Sequence, residues 1–289
     1  MTTHRSYESE ADLSLLLGWL SRYSAHTFMH GGDLVWWLRQ NTLVDPTQAL
    51  ELFFDDAGEL QGFVFSDPVT WAVIQGALNL PAAVWDDMVA YAKAKASGTG
   101  VVQPHEWDTA QTAALLRAGY QPTDKRMRRL VRDILPADLE AVASPAGYHF
   151  ADMSTGEVSA EARVGLHQAV WHPSKVTLEA YERLQAAPLY CPDLDVLVVS
   201  DTGELASYAI GWYDAAARTG LMEPVGTHAD FRGRGLGKAL IREITRRMAA
   251  LGTEKVTIGT YESNAAAVAL YTSAGYEQRG FWVDYTDSD

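Results

Sequence analysis

Leu236, Leu240, Ile241, Ile244, Met248 and Leu251 recur three or four positions apart. That spacing lines one helix face and predicts a long amphipathic helix closing near Gly252. Around it the pattern predicts helices over 157–171 and 177–187, interrupted at Pro173, then strands over 195–200, 205–213 and 221–227. A strand over 255–260, a helix over 265–273 and a last strand or strand pair over 276–285 complete the second half. The first half is sparser, with helices near 13–25 and 81–95 and strands near 50–54, 62–65 and 71–74. Strands alternating with helices imply an α/β sheet.

Two landmarks recur. Asp56-Ala57-Gly58-Glu59-Leu60 and Asp201-Thr202-Gly203-Glu204-Leu205 each lead into an apolar run and read as hairpin turns. Leu115-Leu116-Arg117-Ala118-Gly119-Tyr120 is echoed by Leu270-Tyr271-Thr272-Ser273-Ala274-Gly275-Tyr276, a helix stopping at glycine before an aromatic strand. The two glycine pairs lie 145 and 156 residues apart, so a duplicated domain is expected, with about eleven residues gained in the second copy. Pro136, Pro145 and Gly147 interrupt any period, which sets the expected domains at 1–135 and 136–289.

Composition narrows the setting. The 289 residues are 47% hydrophobic and 21% charged, with a net charge of −14, a globular balance that disfavours general binding to nucleic acid or anionic membrane. The basic run Lys125, Arg126, Arg128, Arg129 and Arg132 reads as a solvated strand edge or a partner for the acidic surface. The single Cys191 forms no internal disulfide, and no cysteine and histidine set has zinc spacing. Without a membrane-length apolar run or a signal-peptide pattern, the expected setting is the cytoplasm.

One segment carries specific chemistry. Arg232-Gly233-Arg234-Gly235-Leu236-Gly237-Lys238 follows a strand and opens a helix. There glycines let the main chain approach a ligand and free N–H groups favour an anion. A P-loop needs glycine where Arg232 stands and Ser or Thr where Ala239 stands; the dinucleotide pattern needs glycine at Lys238. Both nucleotide readings fail. Six of the twelve Lys and Arg residues after Pro136 lie within 232–247. Arg242, Arg246 and Arg247 read as solvated helix surface, and Arg232, Arg234 and Lys238 as phosphate contacts.

Arg232, Gly235 and Gly237 supply the pyrophosphate-loop pattern of the GNAT (GCN5-related) N-acetyltransferases. The strand Glu223-Pro224-Val225-Gly226-Thr227 resembles that family's fourth strand, and Asn264, Tyr271 and Gly275-Tyr276 resemble its later series. The resemblance covers roughly 148–285. It implies two tandem GNAT domains, each a mixed, mostly antiparallel twisted sheet flanked by helices, with acetyl-CoA as co-substrate and no metal. In the first half Gln75-Gly76-Ala77-Leu78-Asn79-Leu80-Pro81 lacks the arginine and second glycine, and Leu115 stands near the counterpart of Tyr271. That copy is expected to be degenerate and to help shape the acceptor pocket.

The resemblance also implies direct attack by an amine on the thioester. Main-chain groups of Val225, Gly226 and Thr227 would hold the pantetheine arm and polarise the carbonyl. Pro224, lacking an N–H, fits a strand that splays from its neighbour. The cofactor contacts implied are Val225, Gly226, Thr227, Arg232, Gly233, Arg234, Gly235, Leu236, Gly237, Lys238, Asn264 and Tyr271. Tyr271 matches the tyrosine that protonates the thiolate, and Asn264 equally fits a helix N-cap. Glu223 is the expected general base, ahead of His228, His172 and Glu262, and equally fits a carboxylate that holds the amine. Trp171, His172 and Glu223 are the expected acceptor contacts. The expected partner is a small-molecule amine, with a protein N-terminus or lysine, or coenzyme sensing without turnover, as alternatives; a monomer is expected.

Overall fold

The computed structural model describes residues 2–25, 27, 29–67, 71–95 and 100–287. The first half runs β1 (Thr3–Ser6), α1 (Glu10–Arg22), α2 (Gly31–Arg39), α3 (Pro46–Ala49), β2 (Leu50–Phe54), β3 (Leu60–Asp67), β4 (Trp71–Gly76), α4 (Ala82–Lys95), β5 (Val101–Val102), α5 (Thr109–Arg117) and β6 (Tyr120–Asp133). The second half follows as β7 (Tyr148–Asp152), α6 (Ala160–Val170), α7 (Leu178–Gln185), β8 (Asp195–Ser200), β9 (Leu205–Asp214), β10 (Thr219–Thr227), α8 (Leu236–Ala250), β11 (Lys255–Tyr261), α9 (Ala265–Ser273) and β12 (Glu277–Asp287). Among the described residues no helix is long and apolar enough to cross a membrane.

All twelve strands join one sheet in the order β1-β2-β3-β4-β5-β12-β6-β11-β10-β9-β8-β7. Neighbours are antiparallel except β4 with β5 and β10 with β11, so the fold is the mixed, mostly antiparallel sheet flanked by helices that the resemblance implies. The two halves exchange their last strands. β12 lies between β5 and β6, and β6 lies between β12 and β11. The basic run is therefore not a solvated edge, since β6 is central. Alternate residues of a strand face opposite sides, and on one side Arg126 and Arg128 meet Glu262 while Arg132 meets Asp138. The charge-partner reading holds for these three.

The recurrent glycines occupy matching places. Gly58 turns β2 into β3 and Gly203 turns β8 into β9, at φ of +79° and +87°; Gly119 and Gly275, at +95° and +90°, stop α5 and α9 ahead of β6 and β12. The eleven extra residues are not spread evenly. Seventeen positions separate Thr219 from Leu236 where eleven separate Trp71 from Ala82, so six of the gained residues fall here, half in the longer strand β10 and half in the loop before α8.

α1 and α4 cover the first half's sheet with a core that includes Leu13, Leu16, Phe63 and Met88. The apolar face of α8 packs Leu240, Ile241, Ile244 and Met248 on Val196, Ala209 and Val256. A third cluster joins the halves, with Val35 and Trp36 of α2 against Tyr181, Leu184, Ile210, Trp212 and Leu221. The close approach needs Gly32, where a Cβ would stand 2.3 Å from the Trp212 ring. In the second half α6 is tied to β8 by a fully buried Arg163–Asp195 pair at 2.8 Å, and the Tyr181 hydroxyl also donates to Asp195 at 2.6 Å.

Candidate active site

The glycine-rich turn adopts the conformation its residues require. Gly233 and Gly235 sit at φ of +77° and +79°, a region that side chains with a Cβ rarely enter. Gly235 is the N-cap of α8, and the first helical bond there runs from the Ala239 N–H to the Gly235 carbonyl. The N–H groups just before Ala239 are thus left without intrahelical acceptors, a cradle for an anion. Gly237 lets α8 lie against Leu270 and Thr227, at 3.3 and 3.5 Å from the place of a Cβ.

β10 leads into this cradle. Its ladder with β11 ends at the pair Leu221–Thr257, while its ladder with β9 shifts register between Met222 and Val225 and continues to Thr227. Pro224 lies in that shift, so the strand splays as its missing N–H suggests. Val225, Gly226 and Thr227 keep β9 on one side and present an open edge on the other. The split opens into a cleft of about 860 Å³ lined by both halves of the chain. One end holds the glycine turn with Lys238, Asn264 and Tyr271; the other holds His30, Asp33 and Trp37 of the first half.

Glu223 stands at the junction. The Trp37 indole N–H donates to its Oε1 at 3.1 Å, and the Trp212 indole N–H donates to its main-chain carbonyl at 2.7 Å. Asp33 hydrogen-bonds its carboxyl, and burial together with the Glu223 charge raises Asp33 well above the usual carboxylate range. A like charge facing a buried carboxyl favours its protonated form, so the proton resides preferentially on Asp33. Asp33 is held by a capping box, accepting from the His30 N–H at 2.7 Å, while His30 Nδ1 accepts from the Gly32 N–H at 3.0 Å. Burial pushes the His30 imidazole down to about 4, so it is neutral at pH 7.

Tyr271 is 7% exposed, and its hydroxyl has no hydrogen-bond partner among the described residues. Burial, then the Glu223 charge, pushes the phenol up to about 12. It therefore stays protonated across the neutral range and can donate.

The structure brings most of the expected residues together. Val225, Gly226, Thr227, Arg232, Gly233, Gly235, Leu236, Gly237, Lys238, Asn264, Tyr271, Glu223 and Trp171 all line the cleft. Arg234 does not: its guanidinium donates to the Tyr148 hydroxyl at 2.8 Å and to the Asp230 carbonyl at 2.9 Å. His172 is exposed and outside the lining. His228 accepts the Asp230 N–H as a cap, and Glu262 is taken by Arg126 and Arg128. Asn264 is the N-cap of α9, accepting the Ala267 N–H at 3.2 Å, while its side chain also faces the cleft. Arg246 and Arg247 are not simply solvated; both pair with the buried Glu243, and Arg247 also with Asp152. Among the described residues no cluster could hold a metal ion.

Asp33, Trp37 and His30 escape the sequence reading altogether. The available signal was local, His30-Gly31-Gly32-Asp33 ahead of Leu34-Val35-Trp36-Trp37-Leu38, an N-cap and third-position acid before an apolar run.

Residues 163–276 match the model of the acetyltransferase (GNAT) family. The chain is 36% identical over 86 residues to an acetyltransferase of Pectobacterium atrosepticum and 33% identical over 88 residues to one of Sodalis glossinidius. Each match takes in 30% of this chain, and it spans 59% and 60% of those relatives. In fold, a GCN5-related N-acetyltransferase from Sphaerobacter thermophilus superposes with a TM-score of 0.66 at 17% identity, over 99% of this chain and 95% of that one. A tandem GNAT protein from the clavulanic acid biosynthesis pathway does so with 0.65 at 16% identity, over 99% and 98%.

Proposed function

We propose that this chain, whose second half carries a GNAT-family domain, is an acetyl-CoA-dependent N-acetyltransferase acting on a small primary amine. The observation that carries the reading is the convergence of Glu223 and Tyr271 on one cleft behind a helix-start anion cradle. The free N–H groups at the start of α8, with Arg232 and Lys238 beside them, suit a pyrophosphate, and the open edge of Val225–Thr227 suits a pantetheine amide chain. Acetyl-CoA bound there supplies the acetyl group as an activated thioester.

The residues then divide the proton traffic. An ammonium acceptor is drawn to the Glu223 carboxylate beside Asp33, and Glu223 takes one proton so that the nitrogen lone pair is free. As the N–C bond forms and the C–S bond breaks, Tyr271 gives its proton to the departing sulfur. The nitrogen's second proton returns to the site, which restores the phenol, and the proton held by Glu223 passes to solvent. Main-chain N–H groups on the open β10 edge stabilise charge on the carbonyl oxygen. A small acceptor fits because α2 roofs the far end of the cleft with Asp33 and Trp37.

Incubating the full chain with acetyl-CoA and a panel of small primary amines, with mass spectrometry of the products, tests the reading. An N-acetylated amine supports it. Tight acetyl-CoA binding with no acetylated product contradicts it and favours a coenzyme sensor.

A further inference from the structure

β6 carries four arginines between 126 and 132, and one is treated differently from the rest. Arg126, Arg128 and Arg132 share a face with Leu130, which is buried under α8 and α9, and each has a carboxylate partner. The pleat turns Arg129 to the other face, with Met127, into the cleft. There the guanidinium lies 5.8 Å from the centre of the Trp107 ring. Among the described residues no carboxylate pairs with it, and burial with the nearby Arg279 charge holds it below its ordinary range. A partly desolvated cation without a counter-charge is costly unless something else supplies one.

The strand register sets Arg129 level with Glu223. Arg129 pairs with Gly259, and Gly259 lies two residues beyond Thr257, the last partner of β10, just as Glu223 lies two residues beyond Leu221. The three positions share one face of the sheet in a row, and because β10 splays from β11 beyond Leu221 the outer two stand farther apart than two strand spacings, over roughly 10 Å at the backbone. Gly259 adds no side chain of its own to the middle of the row, where Met127 and Trp282 close in. A Cβ there would stand 3.1 Å from Met127 Sδ and 3.4 Å from the Trp282 ring. One end of the row thus presents a carboxylate and the other an unmatched positive charge, with Met127 and Trp282 lining the cleft between them.

We propose that Arg129 is an anion subsite of the acceptor cleft, and that the acceptor is a small amino-acid-like zwitterion with its ammonium at Asp33–Glu223 and its carboxylate on Arg129. The planar guanidinium can hold both carboxylate oxygens at once, which fixes the acceptor's direction as well as its charge. This rests on the transferase reading and adds the substrate class to it.

The test compares α-amino acids and ω-amino carboxylates, from glycine to 6-aminohexanoate, with alkylamines of matched length. For the wild-type chain the best carboxylated acceptor should exceed its plain counterpart at least tenfold in kcat/KM. Arg129→Gln should reduce that ratio at least tenfold, chiefly through KM, and Arg129→Lys should keep part of it. A wild-type ratio near one, or a ratio unchanged in both variants, overturns the subsite. Calorimetric titration of the same amino acids separates the two claims. Arg129-dependent binding without turnover contradicts the transferase reading and leaves the subsite standing; turnover of amines without a carboxylate preference does the reverse.

Discussion

At the scale of single residues, function depends on where protons reside. Tyr271 is held up to about 12 by burial and the Glu223 charge, so its ionisation should impose no alkaline fall in rate between pH 7 and 10. Tyr271→Phe should lower kcat by about a hundredfold, in the usual range for loss of a general acid, with acetyl-CoA affinity little changed. A rate and pH profile identical to wild type would remove Tyr271 from the chemistry. Tyr271, Glu223 and Asn264 were readable in the sequence because local motifs fix their places, and Gly235 because only a positive φ explains a glycine there. Asp33 and Trp37 were not. Their meaning lies in contacts with Glu223, which stands 186 positions beyond Trp37, and a linear pattern carries no trace of that pairing.

At the scale of elements, long periodic segments announced themselves and short or buried-polar ones did not. α8 was legible from its apolar stripe, and α9 from its glycine stop. β5 is a two-residue strand, β1 is a half-exposed edge, and β6 carries so many charges that it resembles surface until its carboxylate partners appear. α2 went unpredicted, and its two leading glycines are no break in it. They are instead what lets the helix touch the second half. Gly32→Ala should cost about 1–3 kcal/mol, since its Cβ would overlap Trp212 and well-packed cores resist added methyls. Chemical denaturation measures this, and a stability equal to wild type would mean that α2 is free to move away. A shift of α2 would also draw Asp33 from Glu223.

At the scale of the whole molecule, strand exchange between two halves builds one cleft lined by both. Similar landmarks at offsets of 145 and 156 residues lead to the expectation of a repeat, but they cannot reveal that β6 and β12 cross over between the halves of the sheet. β10 and the loop before α8 took six of the second half's eleven extra residues, and that half holds the anion cradle. The first copy contributes α2 and the central strand β6, and with them Asp33, Trp37 and Arg129. It therefore supplies walls and charges to the cleft beside the second half's anion cradle. The central claim is that the catalytic cleft is shared, and it is tested most directly by the rate of coenzyme A release from saturating acetyl-CoA and amine by Asp33→Ala in the full chain, measured well below its unfolding temperature. The account predicts at least a tenfold loss in kcat with unchanged acetyl-CoA affinity, because Glu223 keeps Trp37 but loses the carboxyl that faces it; a rate equal to wild type would contradict it.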